Sequence, residues 1–101
     1  MMRMIQAIIR PEKEDEVIAA LEQEGIFPFT RQFVFGRGRQ RGIEVGSIRY
    51  EELAKVWLML VVEESECDRA VEAIKIAACT GNPGDGKIFV ATLSESRLIR
   101  K

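Results

Sequence analysis

The stretch KVWLMLVV, residues 55–62, decides the fold, because it is apolar at every position except the first. Its β-branched and aromatic residues favour a strand, and a strand without a polar side must bury both of its faces. We therefore predict a central strand of a sheet. Helices of the same chain can cover one face of that sheet. The other face then marks an association surface, which predicts a homo-oligomer.

Apolar patterns on both sides of this strand predict two helices and further strands. Upstream, an apolar run ends before Pro11, and the acidic stretch that follows predicts a helix with its stop at Gly25. Downstream, a helical pattern with a stop at Gly81 is followed by another apolar strand. The predicted strands are 3–10, 26–35, 55–62 and 87–92, with 97–100 as a candidate short fifth, and the second helix is 66–80. The order β-α-β-β-α-β is that of a ferredoxin-like α+β fold with an antiparallel sheet.

The composition is that of a soluble globular domain. With 101 residues, 47% of them apolar, the chain forms one domain, 1–101, without general disorder. The net charge of −1 gives no global field for nucleic acid or anionic lipid. No apolar run suits a signal peptide or a membrane helix, so we expect a cytoplasmic protein without membrane insertion. Cys67 and Cys79 lie in one predicted helix, too far apart for a disulfide, and the absence of histidine argues against zinc.

TGNPGDGKIFV, residues 80–90, contains G-x-x-x-x-G-K and nearly matches the P-loop motif. A P-loop follows a strand, opens a helix and ends in Ser or Thr. Here a helix precedes, a strand follows, and Ile88 holds the Ser/Thr position, so the stretch is not a Walker site. Two interpretations stay open. Backbone N–H groups of residues 84–86 hold an anion beside Lys87, or the glycines make an ordinary helix-to-strand turn.

FGRGRQRG, residues 35–42, is a second basic, glycine-rich stretch. Arg37, Arg39 and Arg41 alternate with small or polar residues, so in an extended chain their guanidinium groups lie on one side and can engage several phosphate oxygens. The glycine spacing is one residue too long for the dinucleotide fingerprint and precedes no helix. A solvated flexible loop is an equal alternative for this stretch.

Together these stretches resemble the PII nitrogen-regulatory signalling proteins over essentially the whole chain. The resemblance rests on TGNPGDGKIFV, on GRGRQRG after the second strand, on IIRPEK near the start, and on the lysine and the paired valines that flank the central strand. It implies a ferredoxin-like homotrimer that binds ATP or ADP in the clefts between subunits and senses 2-oxoglutarate.

The resemblance also implies a set of nucleotide-binding residues. Those implied for the phosphates are Gly84, Asp85, Gly86, Lys87 and Arg39, and those implied for the adenine and ribose are Thr30, Gly36 and Val61. Arg100 matches one of two family arginines near the C-terminus. Leu98 stands at the position of the second, and Arg97 is one residue away.

The implied effector site lies at the base of the long loop. There 2-oxoglutarate is held through Mg²⁺ shared with ATP, with Gln40 as an oxygen ligand of the metal and Lys55 as the charge partner of a carboxylate. A hard cation takes oxygen ligands, and an ammonium suits a carboxylate. Without the resemblance, a solvated strand-end lysine is the alternative for Lys55.

Residues 37–52 correspond to the partner-binding T-loop of the family. The loop is shorter than the usual form, and the surroundings of Tyr50 do not reproduce the customary uridylylation site. GIEVGSIRYEEL, residues 42–53, looks more like the nitrogenase-associated branch. We therefore expect a target protein bound through this loop, with nitrogenase as the candidate.

An RNA-binding module is the main alternative, because the same element order builds RNA-recognition domains whose sheets present aromatic side chains to bases. Phe29, Phe33 and Phe35 beside the arginine stretch suit it, but they fall on the second strand, and the net charge is −1. An enzyme is not expected, because the chain has no histidine and no paired carboxylates flank the glycine turn.

Overall fold

A computed structural model shows two helices packed against one face of a four-stranded antiparallel sheet. It describes residues 1–37, 43–45, 48–50 and 52–100. The elements are β1 (Met2–Ile9), α1 (Glu14–Gln23), β2 (Thr30–Gly36), β3 (Ile43–Val45), β4 (Ile48–Tyr50), β5 (Leu53–Glu63), α2 (Glu64–Ala78) and β6 (Gly86–Leu93). Apart from the short β3–β4 pair, this is the predicted β-α-β-β-α-β order. The ferredoxin-like α+β fold is confirmed.

The sheet has the order β2-β5-β1-β6, so β5 and β1 are central and β2 and β6 form the edges. All its pairs are antiparallel. One cross-strand row runs through Leu60, Ile5 and Val90, and directly opposed residues such as these point to the same face. The register therefore assigns every strand residue to either the helix-covered face or the open face.

The core lies between the helix-covered face and the two helices. Its strand residues are Ile5, Ala7, Ile9, Val56, Leu58, Leu60 and Val62, and its main helix residues are Val17, Leu21, Ala70, Ile74 and Ala78. All of them are buried. Each large aliphatic side chain contributes about 1.5–3 kcal/mol when it is fully removed from water.

The opposite face of the sheet, here called the open face, is not covered by any helix or strand that the structure describes. It carries Met4, Ile8, Trp57, Met59, Val61 and Phe89, which are half-buried or exposed. The sequence predicts that both faces of residues 55–62 are buried, but in one chain only alternate residues are. Gln6 is the polar residue near the centre of this face, and its side-chain oxygen accepts a hydrogen bond from Trp57 Nε1 at 2.9 Å.

The helices begin and end close to their predicted bounds. α1 ends before Gly25, which has a φ of 77° and makes the expected stop. α2 begins two residues earlier than predicted, because Glu63 and Glu66 form a reciprocal capping box. It also ends two residues earlier, since Cys79 is already extended, and Gly81 therefore lies in the following turn. In the described part of the chain, neither helix is long and apolar enough to cross a membrane.

Two irregular regions differ from what the sequence predicts. The segment predicted as a loop at 37–52 contains a small antiparallel hairpin, in which β3 pairs with β4 from Ile43↔Tyr50 to Val45↔Ile48. The candidate strand at 97–100 is not formed. Leu98 and Ile99 are 76% and 102% exposed, so this segment finds no apolar surface within its own chain on which a strand could pack.

One charged side chain is buried beneath α1. Glu14 is 8% exposed, and its Oε2 lies 2.6 Å from Arg31 Nη1 on β2. Among the described residues, no donor has hydrogen-bond geometry towards Glu14 Oε2, so Arg31 stabilises the buried carboxylate mainly through the attraction of opposite charges. It joins α1 to the edge strand.

Candidate functional site

The turn between α2 and β6 is built around the carboxylate of Asp85. Asp85 Oδ2 accepts hydrogen bonds from the backbone N–H groups of Thr80, at 2.8 Å, and Gly81, at 2.9 Å. Asp85 Oδ1 accepts from Thr80 Oγ1, at 2.5 Å, and from Arg10 Nε, at 3.0 Å. The Thr80 hydroxyl, the Thr80 N–H and then Arg10 hold the pKa of Asp85 well below its usual range. The carboxylate is therefore saturated by its own chain and serves as the frame of the turn.

Three glycines give this turn a backbone path that other residues rarely follow. Gly81, Gly84 and Gly86 have φ values of 86°, 95° and 107°. At Gly86 a Cβ atom would lie 1.7 Å from the carbonyl oxygen of Ile8, so the turn packs directly on the backbone of β1. In the described part of the chain, the N–H groups of Gly84 and Asp85 have no backbone acceptor. This arrangement can receive an anion.

Lys55, on β5, lies beside the turn between α2 and β6. It is 6% exposed, and its ammonium donates a hydrogen bond to the carbonyl oxygen of Gly84. Burial is the main reason that the pKa of Lys55 lies below its ordinary value, and the nearby charge of Arg10 adds to the shift. A desolvated cation of this kind attracts a carboxylate or a phosphate strongly. The interpretation of Lys55 as a solvated strand-end lysine is therefore wrong.

A cleft of about 700 Å³ lies at this end of the sheet, between the turn and the root of the 37–52 segment. Six of the sequence-predicted residues line it: Gly36, Arg37, Lys55, Gly84, Gly86 and Lys87. Sequence reasoning missed its apolar lining, which includes Ile8, Val34, Leu53 and Phe89. Ile8, Lys55 and Phe89 lie on the open face by their register, so the cleft continues that face.

The other predicted site residues lie elsewhere or outside the described residues. Thr30 pairs with Met59, and Val61 follows on the same face, so both lie on the open face farther along β2 and β5 from the turn. Arg100 belongs to the exposed segment after β6. Arg39 and Gln40 lie outside the described residues. Among the residues that the structure describes, no group of His, Cys, Asp and Glu could hold a metal ion.

A second, more apolar groove lies on the helix side, between α2 and the edge strand β6. Its volume is about 480 Å³, and Ile74, Ala78, Ile88 and Val90 are among its lining residues. Asp85 and Gly86 line this groove as well. The turn thus separates the cleft from the groove.

The fold and the site define a ferredoxin-like domain with an anion-receiving cleft beside a long strand connection. The family model for nitrogen regulatory protein P-II matches residues 2–101. The chain is 50% identical over 99 residues to the nitrogen fixation nifHD1 region GlnB-like protein 1 of Methanosarcina barkeri, covering 98% of this chain and 94% of that protein. It is 46% identical, with the same coverage, to the nitrogen fixation nifHD region glnB-like protein 1 of Methanococcus maripaludis.

A third relative carries the family name itself. Nitrogen regulatory protein P-II 2 of Methanothermobacter thermautotrophicus is 44% identical over 103 residues, covering 98% of this chain and 90% of that protein. The chain belongs to the P-II family of nitrogen regulatory proteins, which are signalling proteins and not enzymes. The relatives named for nifHD regions assign it to the nitrogenase-associated branch.

Proposed function

We propose that the protein is a cytoplasmic homotrimer that binds ATP or ADP, with Mg²⁺ and 2-oxoglutarate as effector, in clefts between subunits. Through the loop at 37–52 it controls a target protein. The observation that carries the proposal is the single cleft that unites Gly36, Lys55 and the 84–87 turn. These residues come from three parts of the sequence, and the cleft places glycine backbone beside two lysine side chains.

The chemistry of the cleft supports an anionic ligand with an apolar part. Among the described residues, the backbone N–H groups of Gly84 and Asp85 have no backbone acceptor, and Lys87 and Lys55 supply positive charge. Ile8, Val34, Leu53 and Phe89 provide an apolar wall on which a planar base can lie. A nucleotide has both of these parts, whereas a free phosphate has only one.

The open face supports assembly of several copies. Met4, Trp57, Met59 and Val61 form an apolar surface that none of the described elements of the same chain covers, and such surfaces mark association sites. Association through this face would also close the cleft, which is open to solvent in one chain. We propose that Arg100 of a neighbouring copy, together with Arg39 and Gln40, completes the phosphate and metal site.

Assembly can be tested with a charge in the centre of the open face. Met59→Glu should convert the trimer into monomers, because a buried unpaired carboxylate costs several kcal/mol per copy. The matched control is Ile76→Glu on α2, at a position already 77% exposed. Light scattering on separated peaks gives the mass of each variant. A trimeric Met59→Glu protein would exclude the open face as the interface.

The relatives' names support a target in nitrogen fixation. Several relatives at 41–50% identity are named for nifHD regions. We therefore propose nitrogenase, or a protein acting with it, as the target. Pull-down from a native extract with and without 2-oxoglutarate tests this, and capture of the same proteins in both conditions would remove the effector from the proposal.

Ligand binding is tested by calorimetric titration of ATP with and without 2-oxoglutarate, in the presence of Mg²⁺. If the two ligands share the metal, each must tighten the other by the same factor, and allosteric couplings are typically about 1–3 kcal/mol. Equal ATP affinities in both titrations would contradict shared binding. No ATP or ADP binding at all would end the proposal.

The RNA-binding alternative gains no support from the structure. Phe33 and Phe35 pair with Val56 and Ala54, so their register assigns them to the helix-covered side of the edge strand β2. Phe29 lies before that strand. The three aromatic residues therefore do not form a stacking platform on the open face.

A further inference from the structure

The two helices cover mainly the central strands of the sheet. Among the described residues, every strand residue of the buried core belongs to β1 or β5. On the same side of the edge strands, apolar side chains still contact solvent: Phe33 on β2 is 68% exposed and Val90 on β6 is 46% exposed. Val90 pairs with the fully buried Ile5, so it belongs to the helix-covered face. Both edges of this face are therefore incompletely covered within the described part of one chain.

The two edges have complementary shapes. Phe33 pairs with the buried Val56, so its ring projects from β2 on the helix side. At the opposite edge lies the groove of about 480 Å³ between α2 and β6, with Ile74 and Ile88 in its lining. A cavity of about 150 Å³ holds one benzene ring, so the groove has room for an aromatic side chain. Three strand spacings, about 14 Å, separate β2 from β6, so a chain does not fill its own groove with Phe33.

A closed ring of identical copies brings these two edges together. In a head-to-tail ring, one edge of each copy meets the opposite edge of the next copy. Because β2, β5, β1 and β6 are antiparallel in turn, β2 runs antiparallel to β6. Rotation about an axis along the strands keeps these directions, so β2 of one copy meets β6 of the next in antiparallel orientation. This is the orientation of every pair within the sheet.

The register places Phe33 at the height of the groove. Phe33 pairs with Val56, Val56 with Ile9, and Ile9 with Gly86, so these residues form one row across the sheet. The same rotation preserves height along the axis. Phe33 of one copy therefore meets the next copy at the level of Gly86, which lines the groove together with Cys79.

We propose that Phe33 of one copy is seated in the groove of the next copy, where α2 and β6 bury its ring. The occupant of the groove is thus a second copy of this chain. The inference rests on the proposed homotrimer and names a contact that holds it together besides the open face. Asp85 and Gly86 also line the groove, so Phe33 packs behind the anion-receiving turn of its neighbour.

The first experiment uses the thiol of Cys79 as a reporter, because Cys79 is exposed and Cys67 is buried. In Phe33→Cys, a short bismaleimide should join the new thiol to Cys79 of the next copy and give covalent dimers and trimers in denaturing gels. Gln32→Cys is the matched control, because successive strand residues point to opposite faces, and it should give about fivefold less product. Adding Cys79→Ser to Phe33→Cys should remove the product. Equal product in Phe33→Cys and Gln32→Cys overturns the inference.

The second experiment measures how fast tagged and untagged trimers exchange subunits. Phe33→Ser should exchange at least about tenfold faster than wild type, because loss of a buried aromatic anchor acts mainly on dissociation. Phe33→Leu keeps an apolar side chain and should lie between the two. Phe27→Ser is the matched control: Phe27 is 61% exposed but precedes β2, so exchange should stay within about twofold of wild type. Unchanged exchange in Phe33→Ser overturns the inference.

Light scattering on the wild-type protein separates this inference from the proposed function. A monomeric wild-type protein contradicts the proposed trimer and the Phe33 contact with it. A trimeric wild-type protein without the Phe33-dependent cross-link contradicts the Phe33 contact alone. If Phe33→Ser exchanges subunits normally but no longer captures a protein from a native extract, Phe33 belongs to a target-binding surface, and that result also overturns the inference.

Discussion

Gly86 gives the sharpest test of the structure, because its backbone touches that of β1. A Cβ atom at Gly86 would lie 1.7 Å from the Ile8 carbonyl oxygen and 2.8 Å from its carbon, and real Cβ atoms essentially never approach within 3.0 Å. Both obstacles are backbone atoms, so no side-chain rotation relieves them. Gly86→Ala should therefore separate the start of β6 from the end of β1.

The matched control is Gly81→Ala in the same turn. Gly81 also has a positive φ, of 86°, but nothing lies within 4 Å of its hypothetical Cβ. Its substitution costs the left-handed strain of about 1–2 kcal/mol, partly offset by about 0.4–1 kcal/mol from a less flexible unfolded chain. We expect a net loss of about 1 kcal/mol in the free energy of unfolding.

Gly86→Ala carries the same strain and two further costs. Overpacking against a rigid neighbour costs about 1–3 kcal/mol, and weakened pairing of Gly86 with Ile9 loses hydrogen bonds worth about 1 kcal/mol each. We expect a total loss of about 3–5 kcal/mol. The two variants should therefore differ by about 2–4 kcal/mol.

Urea unfolding measures this difference, and all proteins must be compared at one subunit concentration because association contributes to the apparent stability. Equal losses in the two variants would refute the reasoning. They would mean that the turn can move away from β1 at little cost, so that the side of the cleft formed by the turn is not held in place.

Three further predictions concern charged groups. Lys55→Met should weaken 2-oxoglutarate binding by about thirtyfold or more in calorimetry, as expected for loss of a buried charge partner. The thermal midpoint of the ligand-free protein should change little, because removing the buried charge, whose burial lowers the pKa of Lys55, is opposed by loss of the hydrogen bond to Gly84. The pKa of Asp85 is depressed, so its contribution to stability is complete above about pH 4, the ordinary carboxyl range, and is lost as the pH falls. Asp85→Asn should flatten this acid dependence in thermal melts, and an unchanged slope would contradict it. Arg31→Ala should cost about 1–3 kcal/mol in urea unfolding by leaving Glu14 buried without its cation, and Arg31→Ala combined with Glu14→Gln should recover part of that loss.

The fold could be predicted because its signals are local. The apolar run at 55–62 and the helical patterns beside it each reflect burial of residues close in sequence. The predicted start of α2 was late because Glu63 caps the helix with a carboxylate, a weaker signal than Ser or Thr. The hairpin at 43–50 was missed because its two strands have only three residues each.

From local sequence patterns alone the site was predictable only at the turn, whereas Gly36 and Lys55 were predicted through the family resemblance. Residues 84–87 are consecutive in the sequence, so the motif TGNPGDGKIFV indicates the turn directly. Ile8 and Arg10 reach the same turn through the β1–β6 pairing, and no local pattern encodes that register. Arg10 and Asp85 are separated by 75 positions, and only the sheet brings them together. The one sequence feature that could have pointed to Arg10 was its position directly before Pro11, in the connection from β1 to α1.

The position of the cleft bears on how a ligand could act on the 37–52 loop. Gly36 and Leu53 are paired partners at the last rung of the β2–β5 ladder, and both line the cleft. A ligand bound there as proposed would contact both ends of the loop at once, so its coupling to the loop would need no route through the core. The opposite wall is held by the contact of the Gly86 backbone with Ile8 and by the hydrogen bond from Arg10 to Asp85. If the protein binds ATP and a target as proposed, a target that selects one loop conformation must change the affinity for ATP by the factor with which ATP changes the affinity for the target, because coupling is reciprocal.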